Sequence, residues 1–118
     1  MITIYHNNRC SKSRCALTAL EESGQEFEVV NYLQTIPTTE ELRTIIEKLG
    51  IKPQELIRKS EAIYLAEYKG KDLSDEDWIE AMVAHPILIE RPILVSGDKA
   101  IIARPTEKIN EILGKGVF

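Results

Sequence analysis

The first 33 residues constrain the fold more than any other part of the chain. Ile2-Thr3-Ile4-Tyr5 is a short run of residues that favour a strand. Cys10, Ser11 and Ser13 interrupt it, and serine suits a helix N-terminus. Ala16, Leu17 and Leu20 share one helical face, and Gly24 stands where a helix stop is expected. Phe27 to Leu33 then reads as a second strand. Strand, helix and strand within about 32 residues make a βαβ unit, with parallel strands and a right-handed crossover.

The middle of the chain reads as helical. Thr38 followed by Glu41 is a capping-box pair. Leu42, Ile45, Ile46 and Leu49 follow at i, i+3, i+4 and i+7, and Gly50 ends the segment. Pro53 suits a further first helical turn, with Leu56 and Ile57 behind it, and Ile63 to Tyr68 is a weaker helix. Ser74 caps a helix whose first turn holds Asp75, Glu76 and Asp77, where the helix dipole favours negative charge. Trp78, Ile79, Met82 and Val83 form its buried side, and Pro86 stops it. Ile93 to Val95 and Ala100 to Ala103 flank Gly97-Asp98, a two-residue hairpin turn. A last helix is expected from about Pro105 to Leu113. This order predicts an α/β fold with a thioredoxin-type mixed sheet, β-α-β, then helices, then β-β-α. It fits one domain over residues 1–118 with a helical insertion at about 38–85; a pure helix bundle does not fit it.

Composition agrees with one globular domain. A chain of 118 residues is a single-domain length, and 43% hydrophobic with 29% charged residues argues against disorder. The formal net charge of −4 argues against general nucleic-acid binding. No apolar run approaches the ~20 residues of a membrane span. MITIYHNN has no charged segment leading into an apolar one, so no secretory signal is expected. Two cysteines, without a spaced framework, point to the reducing cytoplasm with both thiols free. A monomer is expected.

Cys10 carries the sharpest chemical signal. It lies between a strand and a helix, where unpaired N–H groups and the positive helix end stabilise thiolate over thiol. Arg9, Lys12 and Arg14 are cationic, and no acid precedes Glu21. At an ordinary pKa near 8.5 about 3% of a thiol is ionised at pH 7, and a fall of two units makes that roughly 75%. The competing reading is a small buried apolar cysteine. A Cys-x₅-Arg phosphate loop is ruled out, because position 16 is Ala16. A Cys-x-x-Cys dithiol is ruled out by Ser13. Cys15 is a poor resolving thiol: five residues apart in a regular helix is about 8.6 Å between Cα atoms. A disulfide usually wants roughly 4.4–6.8 Å. Cys15 is therefore a bystander thiol, or a thiol bridged only if the first turn unwinds.

His6 ends the first strand and either lies beneath the thiol and tunes it or is a polar strand end. His6, the distant His85 and two cysteines give no paired zinc spacing, so no metal is expected. Arg58, Arg91 and Arg104 each lie beside apolar sequence at an element boundary. A guanidinium fork suits a tetrahedral oxyanion, although each taken alone also fits a surface or salt-bridge arginine. Arg91-Pro92 and Arg104-Pro105 restrain their arginines to extended backbone, and an Arg-Pro bond leading into a strand can be cis.

Taken together, ITIYHNNRCSKSR, LIRKSE, HPILIERPILV and ARPTEKINEIL resemble the glutaredoxin-dependent arsenate reductase family, over about residues 2–113. That family is thioredoxin-like and related to Spx-type regulators. The combination His6-x₃-Cys10-x₃-Arg14, Arg58 in its helix, Arg91-Pro92 and Arg104-Pro105 carries the resemblance. The resemblance implies that Cys10 is catalytic and that Arg58, Arg91 and Arg104 bind the oxyanion. It places His6 where the family tunes its cysteine, with Ser13 and Arg14 beside it, and puts the usually cis proline at Pro92. It implies reduction of arsenate to arsenite, glutathione as co-substrate, glutaredoxin as the recycling partner, and no bound cofactor. Two alternatives accompany it. One is a glutaredoxin-like thiol-exchange enzyme. The other is a Spx-like redox regulator binding RNA polymerase, whose usual Cys-x-x-Cys Ser13 breaks.

Overall fold

Ile2, Ile4 and His6 are buried in alternation along β1 (Ile2–His6), a central strand paired on both edges. The computed structural model describes residues 2–7, 10–103, 106–109 and 111. They form two compact units. One comprises Met1–Thr35 with Arg91–Phe118, and the other Ile36–Glu90, a longer segment than the 38–85 set apart from sequence.

The first unit holds a four-stranded sheet of order β2-β1-β3-β4. β1 pairs in parallel with β2 (Phe27–Asn31), Ile2 opposite Phe27 and His6 opposite Asn31. On its other side β1 pairs antiparallel with β3 (Ile93–Ser96), Ile4 opposite Leu94, and β3 pairs antiparallel with β4 (Lys99–Ile102). Helix α1 (Ser11–Ser23) makes the crossover and ends at Gly24, whose φ of 75° only glycine adopts readily. Ala16 and Leu20 of α1 pack with Ile2, Ile4, Leu94 and Ile101. This is the thioredoxin-like mixed sheet expected from sequence.

β2 stops at Asn31, two residues short of expectation. The Asn31 carbonyl accepts the Gln34 and Thr35 N–H groups at 3.0 and 2.8 Å, and Asn31 Oδ1 accepts the Leu33 N–H at 3.3 Å. This turn draws the chain out of the ladder. Ser96 pairs with Lys99 across a two-residue loop, and Gly97 at φ 59° meets the demand of a glycine-first hairpin turn. The helix expected from Pro105 opens instead with a 3₁₀ turn, Thr106–Ile109. A 3₁₀ turn is a common form for a helix end. Pro105 and residues 110, 112 and 113 of that expected helix lie outside the described residues.

In the second unit α2 (Thr39–Leu49) starts at the full capping box. The Glu41 N–H donates to Thr38 Oγ1 at 3.1 Å, and the Thr38 N–H donates to Glu41 Oε1 at 3.0 Å. Helix α3 (Asp75–Ala84) is capped by Ser74, whose Oγ accepts the Asp77 N–H at 3.2 Å. Pro53–Leu56 is a single 3₁₀ turn, because Ile57 turns extended and bridges Ile89 in antiparallel fashion. Tyr64–Tyr68 is a π-type turn in which the Lys69 N–H reaches the Tyr64 carbonyl at 2.8 Å. Tyr64 and Tyr68 both pack on the buried Trp78, with ring centroids 6.4 and 6.0 Å apart.

Candidate active site

The site is built where β1 hands over to α1. After His6 the strand ends, and the Cys10 N–H donates to the Asn7 carbonyl at 3.0 Å. Cys10 is the N-cap of α1, with extended backbone (φ −101°, ψ 121°). An N-cap side chain faces the first unpaired N–H groups of its helix.

Those groups act on the half-buried sulfur of Cys10. Burial pushes the thiol up. The Ser13 N–H, a hydrogen bond and the charge of the Arg91 guanidinium, and the Lys12 N–H together outweigh it. Cys10 therefore lies below the ordinary thiol value. Arg91 is buried, so its charge is poorly screened by water. It enters β3 through Pro92, and the Arg91–Pro92 peptide bond is cis, as anticipated for Pro92. The Pro92 carbonyl accepts the Ala103 N–H at 3.0 Å, which ties this entry to the end of β4.

Ser13 anchors the other side. Its side chain is fully buried, its Oγ accepts the Asn7 N–H at 3.0 Å, and His6 Nδ1 lies 2.7 Å from the same oxygen. Burial holds His6 below its ordinary pKa; a Ser13 backbone hydrogen bond opposes this and the Arg14 charge adds to it. The His6 ring and the Ser13 hydroxyl thus form one buried hydrogen bond. His6 is therefore a buried strand end bonded to Ser13, the residue whose N–H acts on Cys10.

The charges near Cys10 in sequence act differently from expectation. Arg14 is exposed; its N–H bonds the Cys10 carbonyl at 3.0 Å, and its charge acts on His6. Lys12 acts on the thiol through its backbone. Arg9 lies outside the described residues, as do Arg104 and Pro105. Arg58 belongs to the second unit and sits just after the Ile57–Ile89 bridge, not in a helix as the resemblance implied. Its Nε lies 3.0 Å from Glu61 Oε2 and its Nη1 3.4 Å from Glu90 Oε1. Cys15 is exposed, and neither cysteine forms a disulfide.

Three residues escaped the sequence reading. Asn7 is fully buried and closes the turn before Cys10; a polar residue directly after a strand end was the available signal. Glu61 and Glu90 flank Arg58, and the i, i+3 spacing of Arg58 and Glu61 was the only hint. Among the described residues no group of three or more His, Cys, Asp or Glu could hold a metal ion.

The sheet and its crossover helix define a protein of the thioredoxin-like class. Residues 5–112 match the model of the ArsC family. The uncharacterized protein YfgD of Escherichia coli K12 is 46% identical over 96% of this chain and 97% of its own. An arsenate reductase of the same organism is 42% identical over 99% of this chain and 86% of its own. The solved structure of arsenate reductase from Vibrio cholerae superposes with a TM-score of 0.90 at 42% identity, covering 94% of this chain and 96% of that one. The chain belongs to the ArsC family, and it is an enzyme of that family, an oxidoreductase.

Proposed function

We propose that this enzyme reduces arsenate to arsenite with Cys10 as its nucleophile. The observation that carries the reading is the setting of Cys10: a helix N-cap thiol whose pKa is lowered by two backbone N–H groups and a buried arginine. Family membership and relatives named arsenate reductase support the substrate.

The chemistry follows from the thiolate. Sulfur attacks the pentavalent arsenic, a sulfur–arsenic bond forms, and an arsenic oxygen leaves as water after protonation. Arg91, already at the sulfur, offsets the charge on the oxyanion through this step. Arg58 and Arg104 join it by resemblance to the family. Glutathione supplies the second thiol. The two sulfurs become a mixed disulfide, two electrons pass to arsenic, and arsenite leaves. Glutaredoxin then exchanges that disulfide and restores the Cys10 thiol. No bound cofactor takes part, and one protein thiol suffices, so Ser13 in place of a second cysteine is no obstacle. We place the reaction in the cytoplasm, where Cys10 and Cys15 stay reduced.

The test is arsenite formation with glutathione and glutaredoxin, wild type against Cys10→Ser. Turnover in the wild type and none in the variant is expected. Retained turnover in the variant contradicts the mechanism, and thiol exchange without arsenate reduction selects a glutaredoxin-like enzyme instead.

A further inference from the structure

The second unit carries most of the acidic residues of the chain. Ile36–Glu90 holds twelve acids against seven bases, an excess larger than the net −4 of all 118 residues. Part of that excess surrounds a groove of about 380 Å³ between α2, the Pro53–Leu56 turn and the first turn of α3. The floor of the groove is apolar: Ile46, Pro53 and Ile79 line it. Its rim is charged, with Arg43 and Glu47 on α2 and Asp75 and Glu76 on α3. Arg43 reaches across to α3, where its Nη2 donates to both carboxylate oxygens of Glu76.

The helices account for some of these charges and not for others. Asp75 and Glu76 lie in the first turn of α3, where the helix dipole favours an acid. Glu47 lies in the last turn of α2, where the dipole disfavours one. Arg43, four residues earlier, attracts Glu47 and Glu40 through space, but its hydrogen bonds go to Glu76. Among the described lining residues the groove thus has one cation for three carboxylates, and what complements it is further positive charge.

A long cationic side chain suits both halves of this surface. Its methylene stem covers apolar ground while its head stays with the carboxylates. A guanidinium does this best, because its fork bonds carboxylates with several N–H groups at once. We propose that the groove docks a basic, arginine-bearing segment of a partner protein, the arginine stem over Ile46, Pro53 and Ile79 and its head at Glu47 and Asp75. The negative charge continues along α3 at the exposed Asp77 and Glu80, beyond the groove itself. A field of that extent steers and orients an extended basic polypeptide.

The experiment is a two-dimensional amide NMR titration of the full chain with a blocked peptide of alternating leucine and arginine. The same peptide with neutral citrulline in place of arginine is the charge control. The arginine peptide should give saturable shifts centred on the last turns of α2 and the first turn of α3, and the citrulline peptide none. Glu47→Gln and Asp75→Asn should each weaken binding about two- to fivefold, the range of exposed charge pairs. Glu67→Gln, which removes an exposed acid that does not line the groove, should leave binding unchanged. The spectrum of each variant reports separately that it is folded. Equal losses in all three variants mean a diffuse charge effect and overturn the groove. Spermine binding at the same amides as tightly as the peptide makes the ligand a small polyamine. Broadening of those amides with protein concentration alone makes it a second copy of the chain. Either result overturns the partner segment, as does the absence of saturable shifts.

Discussion

Arg91 is the residue whose removal separates the two sources of thiolate stabilisation at Cys10. The Ser13 and Lys12 N–H groups belong to the helix and survive any substitution at position 91, whereas the guanidinium does not. Deprotonation makes the nucleophile, so Cys10 alkylation by iodoacetamide rises with pH through the thiol pKa. In the wild type its midpoint should lie below the ordinary thiol value. In Arg91→Ala the midpoint should move up, and the acid limb of any Cys10-dependent activity should move up with it. Peptide mass spectrometry of the alkylated cysteine across a pH series reads this, and an unmoved midpoint would assign the whole effect to the helix. At this scale Cys10 was legible because a junction of strand and helix creates its field whatever lies nearby. The role of Arg91 in that field was not, since sequence proximity favoured Lys12 and Arg14, and proximity says nothing about where a side chain points. Arg14 is exposed, while Arg91 arrives from the segment just before β3.

Elements whose ends are decided locally were legible, and those decided by tertiary pairing were not. The α2 capping box consists of two hydrogen bonds between residues three apart, and the Gly97-Asp98 turn is closed by its own hairpin. Replacing Thr38 by alanine should cost about 1 kcal/mol, within the range for loss of an N-cap. Urea unfolding reads this as a lower midpoint with an unchanged slope. A stability equal to wild type would mean that α2 is held by packing alone. In contrast, Pro53–Leu56 carries a good helix start but stops after one turn, because Ile57 has a partner 32 positions on in Ile89. The π-type turn at Tyr64–Tyr68 accompanies the packing of Tyr64 and Tyr68 on Trp78, an arrangement no local pattern encodes.

For the molecule as a whole, net charge was the weakest guide to function. A formal charge of −4 describes the surface sum, whereas the field at Cys10 comes from two N–H groups and one buried arginine. The family was legible because its motifs around Cys10, Arg58, Arg91-Pro92 and Arg104-Pro105 are specific in combination. The central claim is that Cys10 is the thiol that meets arsenate, and the chain carries its own control in the exposed Cys15. The direct measurement is the alkylation rate of each cysteine at neutral pH with and without arsenate, read separately by peptide mass spectrometry. The account predicts that Cys10 reacts faster than Cys15, and that arsenate slows Cys10 alone. Equal rates for the two thiols, or a Cys10 rate indifferent to arsenate, would contradict it.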